Sequence, residues 1–224
     1  MPDIRDEELV LHILNVGFGD AILVEFPTSD GRPRRLAVVD CYKSSKMTAY
    51  LEKLKDVRSI GGMAFVCATH PHYDHVAGIK AILDDQDWEP EEFWDSGFRH
   101  KSATYASILE TVRDAGIEMV RISSGIEKYF GSVRVTALSP SVSLRNRYAT
   151  FGVDMNNASI VLRLENCADD VVTTQSQRYI GTRDPEIDRR SGPSVTVVIP
   201  PGGRPRVAKL EDGADDVPDP LTTV

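Results

Sequence analysis

Residues 63–75 read Met-Ala-Phe-Val-Cys-Ala-Thr-His-Pro-His-Tyr-Asp-His, so that an apolar run is followed at once by a polar segment rich in histidine. The apolar run has no polar alternation, which is typical of a strand covered on both faces. A loop that directly follows such a strand is anchored to the core and open to solvent. The sequence therefore predicts a buried strand that delivers residues 69–75 to one edge of a sheet.

The residue types in this loop indicate a metal site. In an extended segment His70, His72 and Asp74 recur at every second position and lie on the same side. Pro71 favours the extended conformation at His70, and His75 begins the next helix, where it can turn back toward the others. Imidazole with carboxylate is the ligand set of Zn²⁺, or of Fe or Mn with less preference. The alternative is a loop of exposed histidines in which Asp74 only caps the following helix.

The apolar patterns on either side predict a mixed α and β chain. Strand-like runs form two groups, at 9–16, 21–26 and 36–39 and again at 118–122, 133–138 and 159–164. Between them, apolar residues at helical spacing predict one helix with an inner face of Met47, Tyr50, Leu51 and Leu54, and another over 105–112. We expect two sheets packed face to face with helices outside. The acidic stretch 84–92 and the polar stretch 165–193 are predicted as loops, and 195–199 as a further strand.

Composition limits the class of protein. The chain has 224 residues, 41% of them hydrophobic and 27% charged, which fits a soluble domain and excludes a collagen, a wholly disordered chain or a membrane bundle. The first residues lack the basic start and apolar stretch of a secretory signal, so we expect a cytoplasmic protein without a membrane partner. The cysteines, Cys41, Cys67 and Cys167, show no CxxC spacing and predict neither a disulfide framework nor a thiolate zinc site.

The charge is unevenly distributed. The net charge is −8, and five acidic residues with no Lys or Arg lie within 211–224, which we expect to be a disordered acidic tail. The rest of the chain is close to neutral. It therefore offers no strong basic patch for duplex nucleic acid. The pattern does not predict an oligomeric state.

The HxHxDH pattern of residues 70–75 after a buried strand resembles the signature of the metallo-β-lactamase superfamily. Three further segments resemble it: 15–24 the opening hairpin, 38–40 the strand that ends in the family's aspartate, and 156–164 the strand after the central helices. The combination is most similar to the β-lactamase-like domain of the competence protein ComEC and its free-standing relatives. The resemblance covers about residues 9–165.

This resemblance implies an α+β fold, the αββα sandwich, with a two-metal site at one edge. His70 and His72 match ligands of the first metal, and Asp74 and His75 match ligands of the second. Asp40 would support the site by orienting a ligand or a water. The implied activity is hydrolysis of a phosphodiester or related ester by a metal-activated water, with Asp74 as a catalytic residue and zinc, or Mn or Fe, as the expected cofactor. The implied partner is a small-molecule or phosphodiester substrate.

The C-terminal third departs from the family. Relatives continue with a strand that ends in a Gly-Asp pair and supply a later histidine, whereas here no such pair ends an apolar strand between 165 and 200, and no histidine follows His100. We therefore expect a sandwich that is incomplete at its C-terminus and one tightly bound metal or fewer. The predicted organisation is a domain over 1–164, a diverged or inserted segment over 165–210 and the tail over 211–224. A degenerate, non-catalytic metal-binding or interaction domain is the alternative function.

Two other residues are candidates for the site. His100 lies in a predicted loop, where it is a metal ligand, a substrate contact or simply an exposed side chain. Asn157, with Asn156 before it, offers amide donors to substrate oxygens or else forms a turn before the next strand. His12 lies within a predicted strand and is expected to be packed or at the surface without a role in the site.

Overall fold

The computed structural model describes residues 3–151, 154–167, 177–180, 195–202 and 206–209. The helices are α1 (Ser44–Val57), α2 (Tyr73–Val76), α3 (Ile79–Leu83), α4 (Ala103–Asp114) and α5 (Val142–Phe151). The strands are β1 (Leu9–Ile13), β2 (Ala21–Glu25), β3 (Arg34–Cys41), β4 (Ile60–Ala68), β5 (Pro90–Asp95), β6 (Glu118–Arg121), β7 (Glu127–Phe130), β8 (Val133–Ser139), β9 (Val161–Asn166), β10 (Gln177–Ile180), β11 (Val195–Ile199) and β12 (Arg206–Lys209).

The strands form two sheets. The large sheet has the order β12-β11-β1-β2-β3-β4-β5-β6, and the small sheet has the order β10-β9-β8-β7. Strands β3 to β6 are parallel, whereas the other neighbouring pairs are antiparallel. Because β4 lies between two parallel neighbours, its carboxyl end meets those of β3 and β5 at one edge. Ligand sites of open parallel sheets are commonly found at this edge.

The two faces of β4 enter different parts of the core. Phe65 and Cys67 face the small sheet and pack with residues such as Val135 and Leu162. The Phe65 ring stacks on Trp94 of β5 at 3.7 Å between centroids. On the opposite face, side chains of β4 pack with α1, α3 and α4. The predicted fold of two sheets packed face to face, with helices outside the large sheet, is confirmed.

The prediction for α1 is confirmed, because its buried residues are Met47, Tyr50, Leu51 and Leu54. The prediction of a loop over 84–92 is wrong. This stretch contains a 3-10 turn at Gln86–Trp88 and the first residues of β5. The negative charge of Glu92 in β5 is compensated because its carboxylate accepts a hydrogen bond from the Trp94 indole and pairs with Lys128. Pairing with the exposed edge of β4 thus outweighs the low strand propensity of the acidic residues.

The segment after residue 165 also contains strands. β10 pairs with β9, in contrast to the predicted loop, and the predicted strand at 195–199 is present as β11. β11 lies between β1 and β12, and its side chains Val197 to Ile199 are buried, so that part of the predicted 165–210 segment completes the large sheet. The predicted tail over 211–224 lies outside the described residues. Among the described helices, none combines the length and apolarity needed to span a bilayer.

Candidate metal centre

The predicted metal loop lies at the carboxyl edge of the parallel strands. It leaves β4 after Ala68, and the extended residue His72 directly precedes α2. The Thr69 carbonyl accepts the amide of Ile160 at 2.9 Å, which ties the loop to the segment before β9. The Asp20 amide donates to the Asp74 carbonyl at 3.1 Å, which ties α2 to the loop between β1 and β2. The loop is therefore held from both sides.

Gly19 makes the second of these contacts sterically feasible. Its φ is +120°, and a Cβ placed on it would lie 2.3 Å from the Asp74 carbonyl oxygen. Only glycine combines this backbone conformation with so close an approach. The Gly-Phe-Gly-Asp turn before β2 is thus packed directly against the first turn of α2.

Asp40 is the polar centre of the buried part of the site. It is the penultimate residue of β3 and has a φ of 57°, a conformation that favours Asp and Asn among residues with a side chain. Its Oδ1 accepts the Thr69 amide at 2.8 Å. Its Oδ2 accepts the Thr69 hydroxyl at 2.6 Å and the Nδ1 proton of His75 at 2.7 Å. With these three bonds Asp40 is an acceptor that orients Thr69 and His75.

The hydrogen bonds of Asp40 determine which nitrogen of His75 can bind a metal. Since His75 Nδ1 donates to Asp40, the neutral ring carries its lone pair on Nε2. That atom lies 3.6 Å from Asp74 Oδ2. His75 is buried, while the Asp74 side chain is 28% exposed. The two side chains thus form a pair of potential ligands that solvent can reach from the Asp74 side.

His70 is oriented through Thr69. Its Nδ1 lies 3.2 Å from the Thr69 hydroxyl and 3.3 Å from the Ser159 hydroxyl. The Thr69 hydroxyl donates its proton to Asp40, so it accepts from His70 Nδ1, and the lone pair of His70 is on Nε2. This atom lies 3.1 Å from His72 Nδ1. Two ligands of one tetrahedral zinc ion would be about 3.3 Å apart.

The structure places the four predicted ligand candidates in two adjacent pairs, although the donor atoms of no three of them lie within 4.8 Å of one another. The ring centroids of His70 and His75, one from each pair, are 4.1 Å apart. This arrangement uses Nε2 of His70, Nδ1 of His72, Nε2 of His75 and Oδ2 of Asp74. Their chemistry fits a divalent ion of the zinc type.

Burial and charge affect the histidines differently. Burial lowers the pKa of His70 to about 3, with a further contribution from the neighbouring histidines, so this ring is neutral at physiological pH. Burial also acts to lower the pKa of His75, but the hydrogen bond and charge of Asp40 and the charges of Asp20 and Asp74 outweigh it, and the net pKa is raised. A concentration of negative charge around one imidazole is an environment that favours a cation.

Asp20 belongs to this environment, although the sequence did not single it out. Its Oδ2 lies 3.6 Å from His75 Nδ1, and donor atoms of Asp20, Asp40 and His75 all lie within 4.8 Å of one another. These atoms surround the Nδ1 side of His75, opposite the nitrogen that faces Asp74. The signal in the sequence was the polar residue directly after a Gly-Phe-Gly turn, but a single residue distant from the HxHxDH pattern does not indicate a shared site.

The remaining candidates lie at different distances from the loop. The ring centroid of His100 is 5.8 Å from that of His72, and burial together with the charge of His72 lowers the pKa of His100. Asn157 is exposed on the 3-10 turn at Asn156–Ala158, whereas Asn156 is the residue of the pair that hydrogen-bonds His70. His12 is packed as predicted: it is 1% exposed and hydrogen-bonds Glu25 and Thr196 in the large sheet.

The chain is similar in backbone path to several solved structures. One is a B3 metallo-β-lactamase described as the first with an active-site glutamic acid, at 18% identity, 78% coverage of this chain, 59% of that chain and a TM-score of 0.44. A second is YhfI from Bacillus subtilis, a metallo-β-lactamase fold protein, at 14% identity, 71% coverage of this chain, 58% of that chain and a TM-score of 0.38. A third is a diphosphatase from the PhnP family, at 12% identity, 70% coverage of this chain, 61% of that chain and a TM-score of 0.39.

The match extends over about three fifths of the length of these three structures. No protein-family model matches the chain, and no curated protein matches it by sequence.

Proposed function

We propose that the chain is a member of the metallo-β-lactamase superfamily and a metal-dependent hydrolase that acts on a phosphodiester or related ester. The observation that carries this proposal is the placement of two pairs of donor side chains, His70 with His72 and Asp74 with His75, at the carboxyl edge of the parallel strands. Within the superfamily, the proposal follows the resemblance to the β-lactamase-like domain of ComEC. The predicted cytoplasmic location is retained as part of the proposal.

His70 and His72 would hold one divalent ion, and Asp74 and His75 a second that is bound less tightly. Zinc is the expected ion, with Mn or Fe as alternatives. A divalent metal at such a site supplies Lewis-acid chemistry, polarising a phosphoryl or carbonyl oxygen and lowering the pKa of water from 15.7 toward ~7. The buried rings of His70 and His75 are positioned through Thr69 and Asp40, and the more exposed Asp74 lies where water and substrate enter.

The substrate class is supported by the charges around the same edge. Arg99 and Lys101 are exposed on either side of His100. Arg145 of α5 donates from Nε to the Ser96 carbonyl at 3.1 Å, which holds its guanidinium next to the loop that follows β5. These cations favour an anionic substrate such as a phosphate ester. Asn156 and Asn157 remain candidates for contacts to its oxygens.

The second candidate function is a metal-binding or interaction domain without catalysis. It is favoured by the sequence after β9, in which no Gly-Asp pair ends an apolar strand before residue 200 and no histidine occurs. A site that lacks these groups would bind metal and turn over slowly or not at all. Both candidate functions require metal binding, but only the hydrolase is expected to turn over a substrate.

The proposal is tested by hydrolysis of bis-p-nitrophenyl phosphate with added Zn²⁺ or Mn²⁺. We expect slow, metal-dependent turnover that a chelator abolishes and that Asp74→Ala removes without changing the circular dichroism spectrum. Asp84→Ala is the matched control, because Asp84 is an exposed aspartate that pairs with Lys80 outside the site. Retained turnover in Asp74→Ala would exclude Asp74 from the mechanism. Stoichiometric metal without turnover would favour the non-catalytic alternative.

A further inference from the structure

The loop between β5 and α4 brings a fourth histidine to the edge that holds His70 and His72. This loop is anchored at both ends. Asp95, which ends β5, accepts the Gly97 amide, and the Ser102 hydroxyl caps α4 by accepting the Tyr105 amide at 3.3 Å. Between these points the position of the His100 backbone is strongly restricted.

The middle of the loop is also fixed by packing. Phe98 is 2% exposed and packs with Met155 and Ala158, which belong to the segment that precedes β9. The same segment carries Ser159, whose hydroxyl contacts His70 Nδ1. His100 is therefore positioned by the same part of the chain that helps to orient His70, and its approach to the metal loop follows from the packing of the core.

The His100 ring has an unused nitrogen. Its Nδ1 is buried and makes no hydrogen bond within the described residues. A buried polar atom without a partner is unfavourable and is rare in native proteins. A metal ion is a partner that a neutral imidazole nitrogen can bind directly.

The ring spacing places His100 beside the His70–His72 pair, at a distance greater than that between two ligands of one ion. From Zn–N bonds of 2.0–2.1 Å, the ring centroids of two histidines on one tetrahedral ion are expected to be about 5 Å apart. The centroids of His70 and His72 are 4.6 Å apart, and those of His72 and His100 are 5.8 Å apart. Ligation by His100 therefore requires its side chain to move toward His72 when the metal binds.

The number of ligands gives the reason for a third histidine. Catalytic zinc sites use three protein ligands and leave one position open for water or substrate. The HxHxDH segment supplies only His70 and His72 to the first ion, and no histidine follows His100 in the chain. We propose that His100 is the third protein ligand of the ion that His70 and His72 hold. This inference rests on the proposed metal site and assigns a role to a residue that the sequence leaves open between a metal ligand, a substrate contact and an exposed side chain.

Zinc affinity of the metal-free protein, measured by competition with a chromogenic chelator, tests the assignment. We expect His100→Ala to weaken zinc binding at least about tenfold, by comparison with the losses seen when groups that only orient a ligand are removed. Glu110→Ala is the control, since it changes an exposed side chain two turns into α4, and we expect it to bind zinc as the wild type does. Circular dichroism establishes that both variants are folded.

Cobalt provides a readout of ligation that does not depend on activity. We expect Co²⁺ in the wild type to give the intense visible absorption of a four-coordinate ion, and His100→Ala to reduce it. In His100→Cys we expect a thiolate-to-cobalt charge-transfer band, because the new sulfur would lie beside the ion.

The outcomes separate this inference from the proposed function. Unchanged zinc affinity and an unchanged cobalt spectrum in His100→Ala, without a charge-transfer band in His100→Cys, would overturn the ligand role. If zinc affinity were unchanged but turnover fell in His100→Ala, His100 would be a substrate contact and the proposed function would stand. Failure of the wild type to bind either metal would instead refute the proposed metal site itself.

Discussion

Replacement of Asp40 by Asn tests how the site controls its histidines. Asn has almost the same shape as Asp and tolerates the positive φ of 57° at this position, so the backbone has no reason to change. The Asn carbonyl can replace Oδ1 and accept the Thr69 amide. The Asn NH₂ group then faces the two donors that Oδ2 accepted, the Thr69 hydroxyl and His75 Nδ1. The Thr69 hydroxyl and His75 Nδ1 must each become an acceptor or lose its hydrogen bond to residue 40.

The expected effect on metal binding follows from this reversal. If the Thr69 hydroxyl accepts from the Asn NH₂ and donates to His70 Nδ1, the proton of His70 moves to Nε2, and this ring has no lone pair for the first ion. The same change at His75 leaves the nitrogen that faces Asp74 without a lone pair for the second ion. Loss of a group that orients a metal-binding histidine reduces affinity about 10–100-fold, or about 1.4–2.8 kcal/mol. In the metal-free protein, a buried donor without a partner costs about 1–3 kcal/mol of the free energy of unfolding.

The assay is zinc competition on the metal-free variant, together with urea unfolding. Glu25→Gln is the matched control, because Glu25 is also a buried carboxylate that hydrogen-bonds a buried histidine, His12, but lies at the opposite end of β2 from the site. We expect Glu25→Gln to lower stability without changing zinc affinity. Wild-type zinc affinity in Asp40→Asn, or an equal loss in Glu25→Gln, would refute the reasoning.

Two further predictions concern neighbouring contacts. Thr69→Val removes the hydroxyl that links Asp40 to His70, so we expect zinc affinity to fall about tenfold, while Thr69→Ser retains it; equal affinities in the two variants would contradict this link. Tyr105 donates to Asp95, whose pKa is raised by burial despite this bond. Because Tyr105→Phe removes a stabilising donor from the ionised carboxylate, we expect a loss of about 1–3 kcal/mol in urea unfolding at neutral pH. The loss should shrink as the pH falls and the carboxyl is protonated, and a loss independent of pH would indicate a packing defect instead.

The metal loop could be predicted from the sequence because its information is local. A buried apolar run and four ligand types within six residues are visible without knowledge of the fold. The contacts that position these residues are not local: Asp40 is 35 residues from His75, and Ser159 is 89 residues from His70. No pattern in the sequence connects such pairs, because the tertiary structure alone brings them together.

The errors in the fold prediction have the same origin. Residues 84–92 carry several charges and have no strand periodicity, yet β5 begins within them because β4 offers a parallel edge and Phe93 and Trp94 are buried. Similarly, β10 lies in a polar stretch that pairs with the edge of β9. In both places the hydrogen bonds of a neighbouring strand determine the structure, whereas α1, whose apolar face is encoded in its own spacing, was predicted correctly.

The most direct test of the central claim is the zinc content of the purified protein, measured by plasma mass spectrometry after equilibration at micromolar free zinc. The wild type should retain about one zinc per chain, and the variant that carries both His70→Ala and His72→Ala should retain almost none while remaining folded. Equal zinc content in the two proteins, or no zinc in the wild type, would contradict the claim that this loop is a metal centre. Two tightly held ions per chain would show that further ligands complete the second position.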